Sequence, residues 1–198
     1  MARLQLNKSS LARETAQLRS YERFLPSLDL KRQQLMGEKA KAVAEVSKLE
    51  AEVRELAAQV GRDVPMLGNR DIELSGLVEL TDYQLSEENV VGTLLPVLDK
   101  IDVEVLPYSY MVLPHWVDQV THLLHDMLIA RLKVQVARQR VEILGKAVDT
   151  ITQRVNLFDK VLIPGARANI KKIRIYLSDE QTSAVTRSKI AKRKRAAA

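Results

Sequence analysis

Residues 113–162 read LPHWVDQVTHLLHDMLIARLKVQVARQRVEILGKAVDTITQRVNLFDKVL. Steps of three and four residues land on Leu113, Trp116, Val120, Leu123, Met127, Ala130, Val134, Ala137, Val141, Leu144, Val148, Ile151, Val155, Phe158 and Leu162. No polar residue interrupts the series. A repeat of about 3.5 residues held over about seven heptads predicts a helix with one apolar seam, the pattern of a coiled coil. A second stripe of the same length lies near the other end: Leu11, Leu18, Tyr21, Leu25, Leu28, Leu35, Ala42, Val46, Leu49, Val53, Leu56 and Val60. Only Glu14, Arg32 and Lys39 interrupt it. At about 1.5 Å per residue, each stripe spans roughly 75 Å. Two matched stripes in one chain predict an antiparallel pair, with Leu11 near Leu162, Val60 near Leu113, and the middle of the chain as the turn.

The expected fold is therefore mainly α: a long antiparallel two-helix coiled coil with a small central β-hairpin region. The predicted organisation is an N-terminal coiled-coil helix over 1–62, a hairpin insert over 63–112, and a C-terminal coiled-coil helix with a basic helical tail over 113–198. Composition agrees, since only 4% of the residues are aromatic, too few for a large globular core. No cysteine is present, so disulfides, thiolate zinc sites and cysteine nucleophiles are excluded together. No run of eighteen apolar residues occurs, and residues 1–10 lack the apolar stretch of a signal peptide. A cytoplasmic protein without direct membrane insertion is expected.

Asn7, Ser9 and Ser10 offer capping oxygens ahead of the first stripe, which places the helix start near residue 8. Pro26 predicts a kink that bends this helix without ending it. Gly61, Pro65, Gly68 and Asn69 break the helical pattern, after which the period shortens to about two. A strand is expected over 74–85, a polar turn at Ser86-Glu87-Glu88-Asn89, a second strand over 90–98, and a short third strand over 101–105. Pro164-Gly165 predicts an interruption of the second long helix. The apolar positions resume out of step at Ile170, Ile173 and Leu177, which reads as a four-residue stutter.

The net charge of +6 is concentrated beyond residue 166, where Arg167, Lys171, Lys172, Arg174, Arg187, Lys189, Lys192, Arg193, Lys194 and Arg195 face only Asp179 and Glu180. A basic end attracts nucleic acid, an anionic surface or an acidic protein lining, and charge alone does not choose among them. The run 189–195 lacks the aromatic residues that stack on bases, so as a nucleic-acid patch it is only a charge run. Around Lys171, Lys172 and Arg174, cations alternate with Ile170, Ile173 and Ile175, as on a helix that has lost its partner stripe and meets another protein.

Chemistry is scarce elsewhere. Arg140 to Ala147 holds the only Gly-Lys pair near a phosphate-loop pattern, but it lacks the leading glycine and the hydroxyl. Asp118, His122 and His125 have the spacing of ligands on one helical face. The stronger reading is that His122 and His125 are ordinary half-exposed side chains flanking the seam residues Leu123 and Leu124. No catalytic, cofactor-binding or metal residues are assigned, and no cofactor is expected.

Arg154-Val155-Asn156-Leu157-Phe158-Asp159-Lys160-Val161-Leu162-Ile163-Pro164, continuing through Asn169-Ile170-Lys171-Lys172-Ile173 to Leu177-Ser178-Asp179-Glu180, resembles the carboxy-terminal signature of the D subunit of V-type and archaeal-type rotary ATPases. Leu6-Asn7-Lys8-Ser9-Ser10-Leu11 is similar to that family's start, with Lys8-Ser9 in place of the common Pro-Thr. Glu88-Asn89-Val90-Val91-Gly92 with Pro96 resembles its Asn-Val-Met-Gly strand. The resemblance implies a noncatalytic central-stalk subunit of a proton- or sodium-translocating ATPase or ATP synthase. Its paired terminal helices would enter a hexamer of A and B subunits. Its other end would join the F subunit and the membrane rotor through the C or d subunit, peripheral to the membrane. On that reading, Arg13, Arg19, Arg23, Lys171, Lys172 and Arg174 are the candidate contacts with the hexamer. A prefoldin-like coiled-coil chaperone and a coiled-coil nucleic-acid-binding protein share the outline and are the alternatives.

Overall fold

The computed structural model describes residues 4–68, 74, 76–108 and 113–196. Its elements in chain order are α1 (Lys8–Asp63), a short 3-10 turn (Pro65–Gly68), β1 (Val78–Val90), β2 (Thr93–Val105), α2 (Trp116–Leu157), a π-helical turn (Phe158–Leu162) and α3 (Ile163–Ala196). By internal contacts the chain divides into two compact units, Met1–Arg32 with Thr150–Ala198, and Gln33–Asp149. Asn69 and residues 109–112, which fall at expected breaks, lie outside the described residues.

α1 begins where a cap is available: Asn7 Oδ1 accepts a hydrogen bond from the Ser10 backbone N–H at 2.7 Å. That satisfies one of the amides the first turn leaves without a helical partner. The helix runs through Pro26 without ending.

In the Gln33–Asp149 unit, α1 and α2 run antiparallel, since Glu50 bonds Arg138 at 2.6 Å while the earlier Lys39 lies against the later Gly145. Their seam buries Leu35 and Ala42 from α1 against Val120, Val134, Ala137 and Leu144 from α2. Lys39, an apparent fault in the stripe, reaches over the bare backbone of Gly145. A methyl group there would sit 3.6 Å from its Nζ.

The hairpin departs from its expected outline. Val90 pairs with Thr93, so the chain reverses at Val91-Gly92 and the polar Ser86 to Asn89 stretch lies inside β1, paired with Leu94 to Val97. Both turn residues have positive φ, 53° at Val91 and 77° at Gly92. Positive φ at both centres is the requirement of a two-residue type I′ turn, whose twist matches the strands. Asn89 Oδ1 holds the turn by accepting from the Gly92 N–H at 2.8 Å. In a two-stranded ribbon much of the surface meets water, so polarity there does not signal a turn. The expected third strand is the continuation of β2. Register shifts at Gln84/Leu85 and Leu80/Asp82 leave Asp99 and Thr81 without opposite partners, which is how the alternation breaks while the strand goes on. Leu95 of β2 is buried, and Val97 and Leu98 line a groove with Val136 and Ala137 of α2.

In the unit formed by the two chain ends, α1 again runs antiparallel to α2 and α3. Tyr21 meets Phe158 edge to face at 5.4 Å, and the earlier Glu14 accepts from the later Asn169 Nδ2 at 3.2 Å. Pro164-Gly165 does not interrupt the helix here. The irregularity is the preceding π turn, in which the Ile163 N–H bonds the Phe158 carbonyl five residues back. Because this turn takes up one residue, the seam continues beyond it through Ile163, Ala166, Ile170 and Ile173, all buried. The segment around Lys171 has thus kept its partner stripe, and the expected four-residue stutter is a one-residue insertion. Only from residue 178 to 196 is every side chain exposed.

Candidate partner-contact surface

Ile170 and Ile173 anchor α3 in the seam, and helical geometry then directs the residues between them outward. Lys171, Lys172 and Arg174 are accordingly exposed, as are Arg13, Arg19 and Arg23 on α1. The six do not form one cluster. Lys171 and Arg174, three residues apart and so neighbours on a helix, line a shallow groove of about 360 Å³ with Thr15, Leu18, Arg167, Ile170 and Ile175. Lys172 and the three α1 arginines lie outside that groove. Arg19 and Arg23 share a face of α1 by their four-residue spacing.

Arg167 is a groove residue outside the six expected contacts. It stands one turn before Lys171, and that i, i+4 spacing was the available signal. Its guanidinium donates to Glu22 Oε1 at 2.7 Å. With Glu14 and Asn169 this gives α1 and α3 a second polar tie, and Glu14, which breaks the first stripe, is matched by Asn169 across the seam. The groove therefore sets cations beside an apolar lining of Leu18, Ile170 and the exposed Ile175. Such a surface suits an acidic partner segment with an apolar anchor.

Asp118, His125 and Gly145 are engaged in local structure. Asp118 Oδ1 accepts from the Tyr108 hydroxyl at 2.5 Å, and His125 Nδ1 lies 3.2 Å from Asp126 Oδ1. Among the described residues, no three His, Cys, Asp or Glu side chains are placed to hold a metal ion. Gly145 is in the interior of α2, where backbone amides serve the helix and cannot wrap a phosphate. Two exposed groups have displaced titrations. Lys100 is raised by its hydrogen bond to Asp102, by the charge of Asp102 and, more weakly, by Asp82. The Glu142 carboxyl is held low by its bond to Lys146 and by that lysine's charge. Among the described residues, no helix is long and apolar enough to cross a membrane.

These features define a class: an antiparallel helical coiled coil with a β-hairpin, presenting its charges on outer helix surfaces. Residues 10–193 match the family model for the ATP synthase D subunit. The chain is 31% identical over 192 residues to the V-type ATP synthase D subunit of Borreliella burgdorferi, covering 97% of this chain and 95% of that one. It is 31% identical over 198 residues to the protein of the same name from Chlamydia felis, covering 98% and 94%. For that from Chlamydia abortus the identity is 30% over 198 residues, again covering 98% and 94%. The chain belongs to the family of ATP synthase D subunits.

Proposed function

We propose that the chain is the noncatalytic central-stalk subunit of a V-type ATP synthase or ATPase, passing torque between a catalytic hexamer of A and B subunits and a membrane rotor. The F subunit and the C or d subunit are its partners at the rotor side, and the complex holds it at the cytoplasmic face of the membrane as a peripheral component. Family membership over residues 10–193 carries this reading. The geometry supports it in two ways. Two helices joined by an apolar seam resist twisting better than one, and the cationic groove lies on the paired chain ends. ATP turnover and ion movement belong to the partner chains, and this chain couples them.

The contacts with the hexamer are assigned to Arg13, Arg19, Arg23, Lys171, Lys172 and Arg174. Reversing the charge of Lys171 and Arg174 together with Arg19 and Arg23 should leave the chain folded and the complex able to hydrolyse ATP, with ion pumping per ATP reduced. Pumping and hydrolysis measured on reconstituted vesicles check this. Unchanged coupling in the fourfold variant would remove these residues from the contact set.

A further inference from the structure

The buried seam of α2 steps by three and four residues through Val148, Ile151, Val155 and Phe158, and the same steps describe Ile163, Ala166, Ile170, Ile173 and Leu177 on α3. A continuous heptad asks for a step of four residues from Phe158 to the next seam position. The step to Ile163 is five, one residue more than the seam needs. The bond from the Ile163 N–H to the Phe158 carbonyl absorbs the extra residue as a π turn. Pro164 follows at once and has no N–H to give to the turn before it.

The opposite helix has its own defect at the same height. Pro26 is inside α1, so the Glu22 carbonyl lacks the amide donor a regular helix would supply. Glu22 is also the residue whose carboxylate bonds Arg167, and its neighbour Tyr21 packs on Phe158. These contacts bracket the π turn from both ends. Next to Pro26, Ser27 Oγ donates to the Phe24 carbonyl at 2.8 Å, a local bond of the kind that bends helices.

We infer that Pro26 on α1 and the Phe158–Leu162 turn with Pro164 form a matched joint, at which both helices of the pair bend and twist more easily than along the rest of the seam. One defect alone would be splinted by the regular helix beside it. Two at one height leave only side-chain packing, Tyr21 on Phe158 above all, to hold the pair straight. This conclusion concerns the chain's mechanics and does not depend on the stalk reading.

Amide hydrogen exchange on the full chain tests it. Peptides covering 20–30 and 156–166 should exchange roughly three- to tenfold faster than peptides from the regular seam at 38–48 and 138–148, the effect of about one missing hydrogen bond. Deleting Val161, an exposed residue of the π turn, restores unbroken heptads from Val155 to Leu177. It should raise the melting temperature and slow exchange over 156–166. Pro26→Ala alters an exposed position without touching the seam and should slow exchange over 20–30. Equal exchange of the joint and seam peptides in the unaltered chain overturns the joint. A folded deletion variant with unchanged exchange does so too, and if the deletion does not fold, unchanged exchange in Pro26→Ala decides against it.

Discussion

Val91 holds a φ of 53°, which a β-branched side chain adopts only under constraint. The neighbouring Gly92 takes φ of 77° freely, so the cost of the turn falls on one residue. Replacing Val91 by Asn, which suits the first centre of this turn type, should stabilise the chain by about 1 kcal/mol. A shift of the urea midpoint with unchanged slope would register the gain, and a lower midpoint would refute the strain argument. The Lys100 ammonium makes a different point. Asp82 and Asp102 are directly opposite each other on β1 and β2, and Lys100 bonds Asp102 at 2.6 Å. With its folded titration raised, Lys100 adds stability that is complete below its unfolded value and lost as pH rises through the folded one. Lys100→Gln should lower the denaturation midpoint at neutral pH, because two like charges then face each other. The loss should shrink as pH rises through the raised Lys100 titration, where the unaltered chain gives up the same charge. A loss independent of pH would mean that Lys100 acts by packing alone.

On the scale of elements, the stripes were legible from the sequence because a seam leaves a period in the text. No described residue of either stripe is exposed. Residues buried by a third element were not legible in the same way. Val136 lies off the α2 stripe and is buried where β2 adds Val97 and Leu98 to its surroundings, a tertiary contact with no helical period. Polarity does not locate the hairpin turn for a related reason: Ser86 to Asn89 is polar because the ribbon is wet, while the backbone requirement sits at Val91 and Gly92. The candidate cations were legible as charge, but their grouping was not. Which of them share the groove depends on the one-residue π insertion, and a reading that placed a four-residue stutter there rotates α3 wrongly. The seam itself supplies the prediction. Leu144 is 1% exposed, so Leu144→Ala should cost about 2–4 kcal/mol through lost burial and an imperfectly closed cavity. Ile175 is 53% exposed, and Ile175→Ala should change stability by less than about 0.5 kcal/mol. Comparable losses at both positions in chemical denaturation would show that the seam is not where the stability resides.

At the scale of the whole molecule, the stabilising seam stops before α3 does. The seam ends at Leu177, and from residue 178 to 196 the helix has no apolar partner and every side chain is exposed. The segment extends a helix already nucleated on the seam, and each added residue exchanges backbone freedom for about one hydrogen bond, a near balance in water. The basic residues in its last turn suit the helix dipole, which adds only tenths of a kcal/mol. Such a segment contributes little to holding the seam together. Removing residues 178–198 should therefore leave the melting temperature of the free chain nearly unchanged, while far-ultraviolet circular dichroism loses the signal of the missing turns. On the stalk reading, whose assigned contacts lie on α1 and on the seam-backed segment around Lys171, the same truncation in the assembled complex should leave pumping per ATP nearly unimpaired. Both arms are needed. A large fall in melting temperature would show that the tail supports the fold, and weakened coupling of ATP hydrolysis to ion pumping would extend the contacts with the hexamer onto the exposed end of α3.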